Sequence, residues 1–281
     1  MPKTTNPNLS GVAETLLIPL YIRAMESQRP DALIKDERAE ALVRQLDPET
    51  LRKTLALTED TGRVVMILKS REFDRFAQDF LSRHPDGVVV HIGCGLDTRF
   101  ERVDNGRVEW YDLDLPDVIE LRRKLVGGEG ARHHFLACSV LDSAWLDTVS
   151  AHRQRSFLFL AEGVFIYFEG AQVKSLILTL RDRFPGAELA FDAYSPIHLL
   201  VSNLQTARTG FRCHWGLWHG QKIEGWGEGT LAPHEAQRSA GVRLLDEWGY
   251  FDDPTPRLDH MRWLRPIESL ARTIRIYRFR L

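Results

Sequence analysis

The chain has 281 residues, of which 37 are basic and 39 acidic, giving a formal net charge of −2. That balance excludes the basic footprint of a dedicated nucleic-acid binder and favours a small or uncharged partner. The three cysteines, Cys94, Cys138 and Cys213, are too widely spaced for a disulfide framework or a metal cluster, so no metal is expected and a reducing cytoplasm is.

The most apolar amino-terminal stretch, "LLIPLYIRAM", is interrupted by Pro19, is too short for a bilayer span and lacks a small-residue cleavage site. No membrane association or export is expected from it. Up to Pro85 the segments "GVAETLLIPLYIRAM", "DERAEALVRQL" and "GRVVMILKSREFDRFAQDFLSR" repeat apolar residues three and four apart, which predicts amphipathic helices. Residues 1–84 read as a helical cap whose Thr15, Tyr21 and Arg23 fold over a pocket and set acceptor choice.

From Val88 the pattern changes. Short apolar runs, "VVVHIG", "VEWYDLDL", "HHFLACSV", "SFLFLAEG" and "ELAFDAY", alternate with helical segments, which predicts an α/β domain with a parallel, doubly wound sheet. His91, inside the first run, reads as a satisfied core histidine rather than a catalyst. The runs "VRLLDEWGYF" and "TIRIYRFRL" form a closing pair that can add an antiparallel strand. Residues 85–281 form the core, with a lid insertion around 196–240 that is rich in His, Trp and Gly.

In such a sheet, ligands sit outside the carboxyl ends of the strands, where the winding reverses. The turn Gly93, Cys94, Gly95 follows the first strand. Its glycines give the backbone angles closed to other residues and leave room for a cofactor to approach, although a GxG alone reads equally well as a structural turn. Thr98 stands where a dinucleotide fingerprint wants its third glycine, so a single nucleoside fits better than a pyrophosphate cofactor. Asp114, about twenty positions on, ends the second strand and can accept both hydroxyls of a ribose, with Asp112 as a supporting residue or alternative ligand. Glu162 is a lone carboxylate at the end of an apolar strand and needs a task or a bonded partner.

Four of these segments, "KSREFDRFA", "GCGLDTRFERV", "DLDLPDVIELR" and "LAEGVFIYF", occur in the order and context of the leucine carboxyl methyltransferase family, and the sequence resembles its bacterial, polyketide-methylating branch. The resemblance implies a Rossmann-like methyltransferase with a mostly parallel seven-stranded sheet, an antiparallel last strand and S-adenosylmethionine as cofactor. It implies that Arg71 binds the methionine carboxylate of the cofactor, Gly93 lies against it, Asp114 holds its ribose and Glu162 lies beside its methionine portion. One position departs from the family: Ser139 stands where eukaryotic members carry an acidic residue at the adenosine end, leaving that end to Ser139, the Val140 backbone or Asp142.

A sulfonium cofactor carries an activated methyl group, so the protein must chiefly align a nucleophile and exclude water. A carboxylate acceptor needs no base. A phenolic one does, and the candidates are His198, His214, His219 and Tyr194. Trp215 and Trp218 read either as walls for an aromatic acceptor or as packing, and Tyr21 and Tyr194 as further acceptor contacts. The expected function is O-methylation of a carboxyl or phenolic oxygen on a small polyketide-like metabolite. A nicotinamide oxidoreductase and a non-catalytic cofactor sensor are the alternatives, and the oligomeric state is unspecified.

Overall fold

The computed structural model describes residues 12–47, 49, 58–205, 212–226 and 241–281. All seven predicted strands form: β1 (Val88–Ile92), β2 (Glu109–Asp114), β3 (His133–Ala137), β4 (Phe157–Ala161), β5 (Glu188–Tyr194), β6 (Arg243–Gly249) and β7 (Ile274–Arg280). They make one mixed sheet in the order β3-β2-β1-β4-β5-β7-β6. The first five pair in parallel, while β7 runs antiparallel to both β5 and β6. The order 3-2-1 on one side and 4-5 on the other puts the reversal of winding between β1 and β4, the point at which open sheets of this kind bind ligands outside the strands' carboxyl ends.

β1 and β4 are buried along their whole length, as their unbroken apolar sequences require. On one sheet face Val90, Ile92, Phe159 and Phe191 pack with the helices that contribute Trp145, Ile177 and Leu180. On the other face Val89, Trp110, Leu158, Leu160 and Ala190 meet Phe73, Phe76 and Phe80. These three phenylalanines come from the 24-residue helix Asp60–Arg83, where their spacing of three and four puts them on one stripe. Each is at most 1 % exposed, and truncation of such a side chain costs about 3–5 kcal/mol.

That helix falls within the amino-terminal 84 residues that the sequence pattern groups as a cap, yet its apolar stripe is a layer of the sheet core. The two shorter helices before it, α1 (Val12–Ser27) and α2 (Glu37–Val43), are different. Leu17, Leu20, Ala24, Ala39 and Leu42 form their own cluster, closed by Leu96 from beyond the glycine turn and Leu121. Pro19 is accommodated inside α1.

Of the predicted lid, residues 206–211 and 227–240 lie outside the described residues. The remainder follows β5. A helix spans Pro196–Gln205, Leu217 N–H donates to Tyr194 O at 2.8 Å and His214 N–H to Ile166 O at 2.7 Å, fastening the segment to the β4 and β5 ends. Among the described residues no helix is long and apolar enough to cross a membrane.

Candidate functional site

The chain leaves β1 through a turn held by β2. The N–H groups of Gly93 and Cys94 both donate to Leu113 O, at 2.7 and 3.2 Å, and Gly95 N–H donates to Asp114 Oδ2 at 2.8 Å. Gly93 and Gly95 have φ of 65° and 50°, the left-handed region that glycine enters without strain. A Cβ on Gly93 would collide with Val164 from the β4 end, and one on Gly95 would touch Leu16 of α1. A β4-tip valine and an α1 leucine therefore lie over the turn. The Cys94 side chain is buried, packed with Ile119 and Phe135, and burial pushes its thiol pKa up, so Cys94 contributes its backbone rather than its thiol to the turn.

Asp114 accepts two hydrogen bonds, both from backbone: Gly95 on one oxygen and Leu115 N–H, at 2.8 Å, on the other. A carboxylate has about four acceptor sites, so capacity for two more donors remains. Burial raises its pKa above the ordinary carboxylate value. Leu115 and Leu141 flank this strand tip and are 51 % and 43 % exposed. Near them, Ser139 Oγ accepts from Leu141 N–H at 3.2 Å, Asp142 accepts from Ser139 N–H at 3.3 Å, and the Val140 carbonyl accepts from the Trp145 indole at 3.0 Å.

Asp112 does not serve as an alternative ligand, because its carboxylate is already enclosed. It accepts from Trp110 Nε1 at 2.8 Å, lies 2.6 Å from His133 Nε2 and pairs with Arg122 at 2.5 Å. Burial opposes its charge, but Arg122 first, then His133 and His91, hold its pKa well below the ordinary value. His91, its register partner on β1, is a core residue between Asp112 and Arg99, 3.5 and 3.2 Å away.

Glu162 has the partner its position demanded. Arg99, fully buried, donates to it at 2.6 Å and Ser70 Oγ at 3.1 Å. Arg99 also pairs with Asp74 at 2.7 Å and Asp97 at 3.0 Å, while Arg102 bridges Asp36, Asp74 and Asp97. Arg23 turns into this network, 2.9 Å from Asp36, rather than toward an acceptor. Thr98 donates to Asp36 at 2.6 Å. Residues 97, 99 and 102 had not been singled out from the sequence; the available signal was their crowding directly behind the glycine turn.

Arg71 pairs with Asp253 and borders a groove of about 550 Å³ lined also by Arg75, Arg102 and Lys35. The remaining candidates divide. Tyr194 ends β5, with His198 edge-on at 4.6 Å. Trp215 packs on Phe191, ring centroids 5.8 Å apart, and His214 pairs with Glu169 at 3.0 Å. Trp218 and His219 line a separate cavity of about 340 Å³ with Lys222, Glu268 and Ser269. Tyr21 packs against the α1–α2 cluster. The side chain of Thr15 lies outside the described residues.

Residues 17–181 match the family model described as leucine carboxyl methyltransferase. The chain is 35 % identical over 249 residues to the tetracenomycin polyketide synthesis O-methyltransferase TcmP of Streptomyces glaucescens, covering 88 % of this chain and 86 % of that one. It is 29 % identical over 210 residues to the S-adenosyl-L-methionine-dependent methyltransferase dpfgK of Gibberella zeae, covering 69 % and 70 %. A solved methyltransferase-like structure from Thermobifida fusca YX superposes with a TM-score of 0.53 at 13 % identity, covering 95 % of both chains, which speaks to the fold. The chain belongs to the leucine carboxyl methyltransferase family. It is a methyltransferase of Rossmann-like fold.

Proposed function

We propose that this protein is an S-adenosylmethionine-dependent O-methyltransferase whose acceptor oxygen is a carboxyl or phenolic group on a small polyketide-like metabolite. The observation that carries this reading is Asp114. It is a strand-tip carboxylate beside a left-handed glycine turn at the winding reversal, with acceptor capacity left for a pair of ribose hydroxyls. The exposed Leu115 and Leu141 beside it suit the faces of an adenine, with Ser139 and Val140 at its edge. Thr98 supports a nucleoside over a dinucleotide, since its buried hydroxyl occupies the place of the third glycine.

The residues fit the cofactor. Bound S-adenosylmethionine supplies the activated methyl group. Arg71 would hold its carboxylate as a bidentate fork after parting from Asp253, and Glu162, steadied by Arg99, would stand beside its ammonium. Val164 and Leu16 would move aside from Gly93 and Gly95 and then exclude water. α1 and α2 serve as the cap, and the described segments 196–205 and 212–226 as part of the lid. The O-methyltransferase relative at 35 % identity supports oxygen as the methylated atom.

The test has two stages. Calorimetry with S-adenosylhomocysteine should register binding, and labelled methyl from S-adenosylmethionine should then reach an aromatic polyketide acid or phenol. Absence of heat in the first stage overturns the cofactor assignment; binding without transfer to either class overturns the acceptor assignment.

A further inference from the structure

At the ends of β4 and β5 a second group of polar side chains has hydrogen-bonding capacity that nothing in the described chain fills. Asp192, fully buried on β5, accepts from Gly163 N–H and from the Lys69 ammonium, both at 2.5 Å. Lys69 comes from the helix Asp60–Arg83, and Asp192 is its one hydrogen-bond partner among the described residues, leaving two N–H groups over. Burial opposes its charge, yet Asp192 and Glu162 hold it cationic.

Tyr194 stands two positions beyond Asp192 on the same face of β5, and His198 lies in the first turn of the helix that follows. Their rings meet edge-on, and neither the tyrosine hydroxyl nor the imidazole nitrogens hydrogen-bond to any described residue. Burial keeps the Tyr194 phenol protonated, and burial together with Lys69 keeps His198 neutral. Tyr167, at the β4 end, stands within electrostatic reach of Lys69. Lys69 is buried while Tyr194 and His198 are half-buried, so three polar side chains with open hydrogen-bonding capacity converge at the β5 end, an arrangement that suits a polar ligand group.

This group lies on the opposite side of the winding reversal from Asp114. A nucleoside spread over the β1, β2 and β3 ends, with the methionine portion at Glu162 beyond β4, leaves the β5 end to the acceptor. We infer that Lys69, Tyr194 and His198 form the acceptor-oxygen site, which takes an aromatic acceptor through an acidic oxygen held as its anion. Lys69 and Tyr194 both present donors, and a charged donor facing an anionic acceptor makes the stronger class of hydrogen bond. Asp192 serves as a positioning residue: it fixes the ammonium while using only one of its protons. The inference rests on the methyl-transfer reading above and adds to it the charge state of the bound acceptor.

The full chain saturated with S-adenosylhomocysteine is titrated with 4-nitrophenol and with 2-naphthoic acid, each beside its neutral methylated counterpart, 4-nitroanisole and methyl 2-naphthoate. At least one acid should bind about tenfold or more tightly than its counterpart, with any bound nitrophenol absorbing as phenolate. Preference confined to the phenol marks a phenolic acceptor, and preference confined to the naphthoic acid marks a carboxyl one. Tyr194→Phe and the paired change K69M/D192N, which removes the ion pair without stranding a buried charge, should each lower that preference about tenfold while S-adenosylhomocysteine still binds. Equal binding of the neutral counterparts, no binding of either acid, or a preference surviving both variants overturns the site. If S-adenosylhomocysteine gives no heat before any acid is added, the methyl-transfer reading itself has failed.

Discussion

Arg99 donates from Nη2 to Glu162 Oε2 at 2.6 Å, joining the helix behind the glycine turn to the end of β4 across the winding reversal. The two charges are unequal in their dependence on each other. Without Arg99, Glu162 keeps one hydrogen-bond partner among the described residues, Ser70, and the more distant charge of Lys69; without Glu162, Arg99 keeps Asp74 and Asp97. Arg99→Met should therefore cost about 3–5 kcal/mol of stability and Glu162→Gln distinctly less. Urea unfolding of the two variants gives the comparison, and equal losses would refute the asymmetry.

Asp114→Asn should weaken S-adenosylhomocysteine binding about tenfold to a hundredfold while circular dichroism stays native, since hydrogen bonds to a charged acceptor contribute about 1.5–3 kcal/mol. Because burial raises the Asp114 pKa above 3.8, the affinity of the parent protein should fall with decreasing pH sooner than an ordinary carboxylate would allow. The variant should lack that acid limb. Calorimetry across the pH range in which the fold persists checks both.

Arg71 and Asp253 should show opposite signs. Asp253→Asn frees the guanidinium and should tighten S-adenosylhomocysteine binding, whereas Arg71→Ala should weaken it about tenfold or more. Adenosine, which has no carboxylate, should bind equally to the parent and both variants. A parallel change in adenosine affinity would remove Arg71 from the carboxylate end.

Asp112 links stability to acid. Its folded pKa is depressed, so its contribution is present above the unfolded carboxylate pKa and is lost as pH falls through the folded one. Asp112→Asn should cost about 3–5 kcal/mol near neutrality by leaving Arg122 buried without its carboxylate. The gap between parent and variant should narrow as the solution is acidified, which denaturant titrations at several pH values measure.

The strands were legible because burial on both sides demands unbroken apolar runs such as "FLFLA" and "VVVHI", and little else produces them. The turn was legible because the chain needs φ of 65° at Gly93 and 50° at Gly95. The fate of the helix Asp60–Arg83 was not: a period of 3.6 shows which side of a helix is apolar but not what covers it, so Phe73, Phe76 and Phe80 could equally have faced a separate cap. The ionic network was hidden for another reason. Arginine is ordinarily exposed, so Arg99 at 0 % exposure runs against the usual expectation, and of its partners Asp97 is close in sequence while Asp74 and Glu162 are brought to it only by the fold. The same holds for Arg71, whose carboxylate partner stands 182 positions away.

The place of β7 between β5 and β6 bears on how the molecule is built. A ribosome releases residues 188–194 and 243–249 long before the strand that must lie between them, 274–280, is available. During that interval β5 presents an unpaired border, a known invitation to self-association of nascent chains. Chains cut short before residue 274 should accumulate as aggregates instead of as a smaller soluble enzyme, since their sheet would end at β5.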